Sequence, residues 1–180
     1  KVSLSLKDKI SLVNHQFSIQ DIFSWQDELS ESIDKQAFIL SHLQQPDLFL
    51  RLRTGKEATV KQKLNKSGIE FKIISDTCVE LPNLVKVDEI IELDKEAVVQ
   101  DYSSQLVAEF LQNLKSKTLN SKISIWDCCA ASGGKSIMAY DIISNIDLTV
   151  SDIRESVLAN LRKRFAEAGI KNYKSFVADL

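Results

Sequence analysis

Glycine, proline, cysteine and histidine are all scarce in this chain: 5 Gly, 2 Pro, 3 Cys and 2 His in 180 residues. An odd, small number of cysteines excludes a disulfide framework and favours a reducing, cytoplasmic setting. The two histidines, His15 and His42, lie far from the paired Cys128 and Cys129, and no zinc-type C-x-x-C spacing occurs, so no metal is expected. Charge of one sign is also missing. Lys and Arg total 23 against 25 Asp and Glu, so no global basic excess points to nucleic acid. No run of 18 apolar residues predicts a membrane span, and the opening KVSLSLKDKI has neither an apolar core nor a small-residue cleavage site of a signal peptide. It also lacks an initiator methionine, and the closing SFVADL reads as a strand. Both ends therefore read as cut, and a fragment of a longer protein is expected.

What the chain does have is 44% hydrophobic residues, enough for one ordinary domain or two small ones. Ile22, Trp25, Leu29 and Ile33, with Phe38 and Leu43, recur at helical spacing and predict a helix over 20–44, stopped by Pro46. LFLRLR at 48–53 alternates like a half-buried strand. Residues 57–67 predict a short helix with Val60 and Leu64 inward and Gly68 as its stop. IEFKII, CVEL and NLVKVDEIIEL read as strands, completing a small α+β unit. SSQLVAEFLQNL predicts an amphipathic helix with Leu106, Val107, Phe110, Leu111 and Leu114 on its inner face. Beyond it, strand and helix alternate. ISIWD, DLTVSD and YKSFVAD are strands ending in Asp127, Asp152 and Asp179, and KSIMAYDIISN and RESVLANLRKRFAEAG are the helices between them. That alternation is the signature of βαβ units in a parallel sheet.

The first strand runs into DCCAASGGKS at 127–136. A Walker phosphate loop would need glycine at 129, where the chain has Cys129. A nucleoside-binding loop of the doubly wound type needs a glycine pair between strand and helix, and an acid about 20 residues on for ribose hydroxyls. Gly133, Gly134 and Asp152 meet that pattern. A degenerate nucleotide-binding P-loop remains open as a rival.

These residues carry a resemblance. DCCAASGGKS resembles the D-x-C-A-A-P-G-G-K-T motif of the Fmu/RsmB/NSUN family of S-adenosyl-methionine-dependent RNA cytosine-5 methyltransferases, with Ser132 in the place of its proline. VVQDYSSQLVAEFL resembles the family's Q-D-x-S-S-Q segment. VSDIRESVLANLRKRFAEAGIKN resembles its D-x-x-x-x-R-x-x-x-L-x-x-N-x-x-R-x-G-x-x-N stretch. PDLFLRLRTGK resembles P-x-x-x-R-x-N, with Thr54 for asparagine. The likeness covers about 45–180.

The resemblance implies that Cys129, Ala130, Ala131, Ser132, Gly133, Gly134 and Lys135 lie against S-adenosyl-L-methionine, that Asp152 holds its ribose hydroxyls, and that Asp179 accepts from its adenine amino group. It implies a parent enzyme that methylates carbon 5 of cytosine in RNA, with ribosomal RNA the expected substrate. The family's catalytic cysteines lie in later D-A-P-C and T-C-S motifs, which this chain does not contain, so the chain alone is expected to be inactive. Cys128 and Cys129 are read as packed thiols rather than nucleophiles, Cys78 as core, and Trp25 and Trp126 as core rather than base-stacking platforms. Arg51, Arg53, Lys56, Lys61, Lys63 and Lys66 face a single acid, Glu57, between 51 and 66. Of these, Arg51, Arg53 and Lys56 are the candidate RNA contacts; a solvated helix face is the plain alternative.

The resulting expectation is an α/β chain. Residues 1–95 form a helical arm plus a small α+β, RNA-binding-like region, and residues 96–180 form the first half of a doubly wound, Rossmann-like sheet. Its strand at 123–127 is expected to be an exposed edge open to dimerisation. A non-catalytic RNA-binding module is the second rival.

Overall fold

The computed structural model describes Leu12, residues 18–117 and residues 121–179. His15 lies outside the described residues. The chain forms two compact units, residues 1–46 and 47–180, and the expected division near 95 falls inside the second.

In the first unit the predicted continuous helix over 20–44 does not form. Two 3₁₀ turns, Ile19–Ile22 and Gln26–Glu28, precede a single helix α1, Lys35–Ser41. The reason is the supply of short polar side chains: Ser18, Asp21, Ser24, Asp27, Ser30, Ser32 and Asp34 offer the backbone local partners that compete with helix. The Ser18 amide donates to Asp21 Oδ2 at 3.1 Å, and the Ala37 amide to Asp34 Oδ1 at 3.0 Å, which caps α1. Phe23 and Phe38 meet edge to face, but Trp25 is 69% exposed, not core.

The second unit opens with an antiparallel sheet. Its strands are β1 (Leu48–Leu52), β2 (Lys72–Ser75), β3 (Cys78–Leu81) and β4 (Ala97–Val99), in the order β2-β3-β1-β4. Helix α2 (Glu57–Lys66) sends Val60 and Leu64 into the core with Leu50, Leu52, Val79 and Leu81, and Gly68 ends it at φ 72°. Cys78 is buried there, as expected. The NLVKVDEIIEL segment is not strand. It makes a 3₁₀ turn, Val87–Glu89, because Val87 and Ile91, four residues apart, both turn inward. Strand β4, absent from the sequence reading, pairs Val98 with Arg51 and extends the sheet.

The predicted helix at 103–114 is broken into α3 (Tyr102–Gln105) and α4 (Ala108–Lys117). Gln105, rather than Leu106, turns inward, and its Nε2 donates to the Gln100 carbonyl at 2.8 Å. Leu106 and Phe110 are left 47% and 76% exposed, so the face expected to point inward is largely open.

A parallel sheet follows: β5 (Ile123–Asp127), β6 (Ile146–Asp152) and β7 (Tyr173–Val177), in that order, with helices α5 (Gly134–Ile142) and α6 (Glu155–Glu167) as the crossovers. Leu148 and Val150 pack against Ile137, Leu158, Leu161 and Phe165. The opposite face carries Trp126 and Phe176, both about half exposed, rings 6.3 Å apart. Trp126 is thus not core; its indole N–H donates to Ser151 Oγ at 3.0 Å. Strand β5 ends the sheet, with β6 as its one neighbour among the described strands.

Candidate functional site: a bend at the carboxyl edge of the parallel sheet

The carboxyl ends of β5, β6 and β7 lie in register, Asp127 beside Val150 and Asp152 beside Val177. Asp179 follows two residues after β7 and is exposed. Between β5 and α5 the chain bends sharply, with Ala131 at φ 46° and Gly133 at φ 86°, both left-handed. Glycine is required at 133 on two counts. The left-handed conformation strains a residue with a side chain, and a Cβ there would come within 2.7 Å of Phe165 Cε1 and 3.1 Å of Leu161 Cγ. Its absence lets the bend lie directly on α6.

Two aspartates fix this bend. Asp127 Oδ2 accepts from Ser136 Oγ at 2.6 Å, tying the end of β5 to the first turn of α5. Asp152 Oδ2 accepts from the Ala131 amide at 3.0 Å, and its Oδ1 accepts from the Arg154 amide at 3.0 Å and from Arg154 Nε at 3.2 Å. These donors, the Arg154 amide foremost, then its side chain, then the Ala131 amide, hold the Asp152 carboxyl below its ordinary range. The Ala130 amide donates to the Ser151 carbonyl and the Gly133 amide to the Ala130 carbonyl.

The bend lines a cavity of about 380 Å³, within the range of small-molecule sites. Cys129, Ala130, Ala131, Ser132, Gly134 and Lys135 form one wall; Gln100, Asp101 and Ser104 form another, with Arg164 beside them. Six of the seven expected loop residues therefore share one cavity, and Gly133 is buried behind it. Asp152 stands behind Ala131, and neither it nor Asp179 is part of this wall. Gln100 packs against Gly134, within 3.8 Å of where a Cβ would be.

The thiols of Cys128 and Cys129 are exposed, not packed. The Cys129 thiol is pushed up, first by the neighbouring Cys128 and further by Asp152 and Asp127. A thiol disfavoured as thiolate is a poor nucleophile, so for Cys129 electrostatics, rather than burial, argues against a nucleophilic role.

Arg51 and Arg53, expected as RNA contacts, turn inward instead. Arg51 is 6% exposed; its Nη1 lies 2.7 Å from Asp141 Oδ2, and its Nε donates to Gln100 Oε1 at 2.9 Å. Arg53 Nη2 lies 2.6 Å from Asp141 Oδ1, and its Nη1 donates to the carbonyls of Asp94 and Ala168. Both guanidiniums are engaged inside the protein, pinning β1 to α5, and neither presents its charge to a phosphate. Alternation along the strand gave no hint of this, because Asp141 lies 90 residues away from Arg51. Lys56 is exposed. Arg164 carries no local sequence signal of its role, because its partners Asp94 and Ser132 lie 70 and 32 residues away.

No family model and no curated protein sequence matches this chain. Solved structures do. PH0851 superposes with a TM-score of 0.71 at 17% identity over 92% of this chain and 40% of its own. A methyltransferase homologue from Pyrococcus horikoshii gives 0.65 at 18% identity over 96% and 56%. NSun6 from Pyrococcus horikoshii, solved with SFG, gives 0.61 at 12% identity over 89% and 64%. The chain thus spans between 40% and 64% of the length of these three proteins. At such identities the likeness is one of architecture, and the chain has the fold that these proteins share.

Proposed function

We propose that this chain is part of an RNA cytosine-5 methyltransferase of the Fmu/RsmB/NSUN family, with residues 96–180 forming part of the S-adenosyl-L-methionine site and residues 1–95 serving RNA binding. The observation that carries the reading is the cavity under the bend. It gathers six of the seven glycine-motif residues between Cys129 and Lys135 with Gln100, Asp101 and Ser104, two stretches that the family resemblance singles out independently. The fold shared with NSun6, solved with the S-adenosyl-methionine analogue SFG, agrees with it.

The bend suits this ligand better than a triphosphate. A phosphate cradle aims its backbone amides at the anion, whereas here the amides of Ala130, Ala131 and Gly133 are engaged within the protein. The carboxylate beside the loop would repel phosphate but can accept from hydroxyls. An ionised carboxylate has about four acceptor positions, and Arg154, whose side chain is 62% exposed, can swing away to free one on Asp152.

When bound, the cofactor supplies an activated methyl group on a cationic sulfonium, which the acids at this sheet edge tolerate. The nucleophilic cysteine belongs to motifs outside this chain, so methyl transfer by the chain alone is not expected. The substrate is RNA, ribosomal RNA foremost, in the cytoplasm. Lys56 is the remaining phosphate contact of the three first chosen, and the open edge of β5 is a route to self-association.

Calorimetry with S-adenosyl-homocysteine tests the reading. Binding to the wild-type chain, its loss in Asp152→Ala and its retention in Arg154→Ala are expected. Binding of ATP without S-adenosyl-homocysteine would replace the reading with a nucleotide-hydrolase one.

A further inference from the structure

We infer that Arg164 is a positioning residue for the cofactor bend, holding it in its binding shape through Ser132. The bend's own backbone does not account for its stability. Ala131 is a non-glycine residue in the left-handed region, a conformation that persists only where the surroundings impose it. Asp152 holds the Ala131 amide from one side, and Arg164 reaches across from α6 to hold the next residue. Its Nη1 donates to the Ser132 carbonyl at 2.9 Å and to Ser132 Oγ at 2.8 Å. Its Nε and Nη2 meet Asp94 in a two-pronged pair at 2.9 and 2.7 Å.

Asp94 is itself fixed. It sits at φ 61°, its amide donates to the Ala97 carbonyl at 2.7 Å, and its carbonyl accepts from Arg53 at 2.9 Å. The side chains of Arg164 and Asp94 are 16% and 13% exposed, so water screens the pair little. A continuous relay therefore runs from β1 through Arg53, Asp94 and Arg164 to the bend.

The chain's departures from the family pattern explain why it needs the relay. A proline at 132 would fix its own φ by its ring; Ser132 does not. The pattern that 152–172 resembles has asparagine twelve positions after its aspartate, and this chain has Arg164 there. The chain departs from the pattern elsewhere too, as at Val157 and Glu167, but Ser132 and Arg164 are hydrogen-bonded to each other. Arg164 thus supplies from outside the rigidity that a proline supplies covalently. Both residues line the cavity, so relaxing one alters the shape offered to the ligand.

The effect on the bend stands alone, while the effect on the ligand rests on the function proposed above. The test is amide hydrogen exchange on the full, unliganded chain, joined to S-adenosyl-homocysteine titration, for wild type, Arg164→Ala, Arg164→Lys and Ser132→Ala. In Arg164→Ala the Gly133 amide should exchange about tenfold faster, as loss of charge-assisted hydrogen bonds predicts, while the amide of Leu148, in the middle of β6, keeps its wild-type rate. Affinity should fall by a similar factor. Arg164→Lys, which keeps the Asp94 charge pair but lacks the fork that also reaches Ser132, should fall between, as should Ser132→Ala. Unchanged exchange at the bend overturns the inference, as does acceleration spread evenly over the core. If Arg164→Ala does not fold, the lysine and Ser132 variants decide by the same criterion. If wild type binds no S-adenosyl-homocysteine, the function reading fails while the exchange result still decides the relay.

Discussion

The antiparallel sheet of β1–β4 and the parallel sheet of β5–β7 belong to one compact unit, yet they are finished to different degrees. The antiparallel sheet closes a core with α2 in which Leu50, Val60, Leu64 and Val79 are wholly buried. Its outer strand β2 is exposed, a normal state for an antiparallel sheet, which can keep one face in water. The parallel sheet is equally well packed on its α5–α6 side but shows Trp126 and Phe176 on the other. Parallel sheets are ordinarily covered on both faces. The difference teaches that stability and function are distributed unevenly. The antiparallel half closes its own apolar core but needs Asp141 of α5 for its buried arginines, and the parallel half owes its cavity partly to side chains from the antiparallel half, such as Gln100.

Asp141 is where the comparison breaks most readily. It receives both Arg51 and Arg53, and its side chain is 6% exposed. Asp141→Ala leaves two buried guanidiniums without a counter-charge, which should cost about 3–5 kcal/mol and lower the melting temperature by roughly 10 °C, read by calorimetric unfolding. If the two sheets were independently stable, the loss would be within about 0.5 kcal/mol.

A smaller effect is confined to the parallel half. The Asp152 carboxyl is held below its ordinary value by the Arg154 amide, the Arg154 side chain and the Ala131 amide. The resulting stabilisation is present above the ordinary carboxylate value, near about 4, and is lost as pH falls through the lowered folded value. Wild type should therefore lose an increment of stability on acidification that Asp152→Asn lacks, measured by denaturant titration across that window.

The smallest effect is expected on the uncovered face. Trp126→Phe removes one indole hydrogen bond and little buried surface, and should change stability by less than about 1 kcal/mol. Leu148→Ala on the covered face of the same sheet should cost about 2–5 kcal/mol. Equal losses at the two positions would show that the outer face is covered after all.

The parallel half was legible because its signals are local. Apolar runs ending in acids, a glycine pair and helical spacing in 155–167 all act over a few residues, and β5, β6, α5, α6 and β7 fall where those signals put them. Failures came where distant partners decide. Arg51 and Arg53 look like solvent charges until Asp141 folds against them. Phe110 looks inward until the break at Leu106–Val107 and the inward turn of Gln105 leave it outside. The first unit misled for the opposite reason: its apolar spacing is helical, but its serines and aspartates hold the backbone in tighter turns.

The central claim is that the bend at 130–134 receives a nucleoside with no phosphate chain. Backbone amide shift mapping of the chain with S-adenosyl-homocysteine and, separately, with ATP tests it directly. S-adenosyl-homocysteine should move the amides of Ala131, Gly133, Gly134 and Gln100 while ATP leaves them in place. Shifts of those same amides by ATP, with none from S-adenosyl-homocysteine, would contradict it.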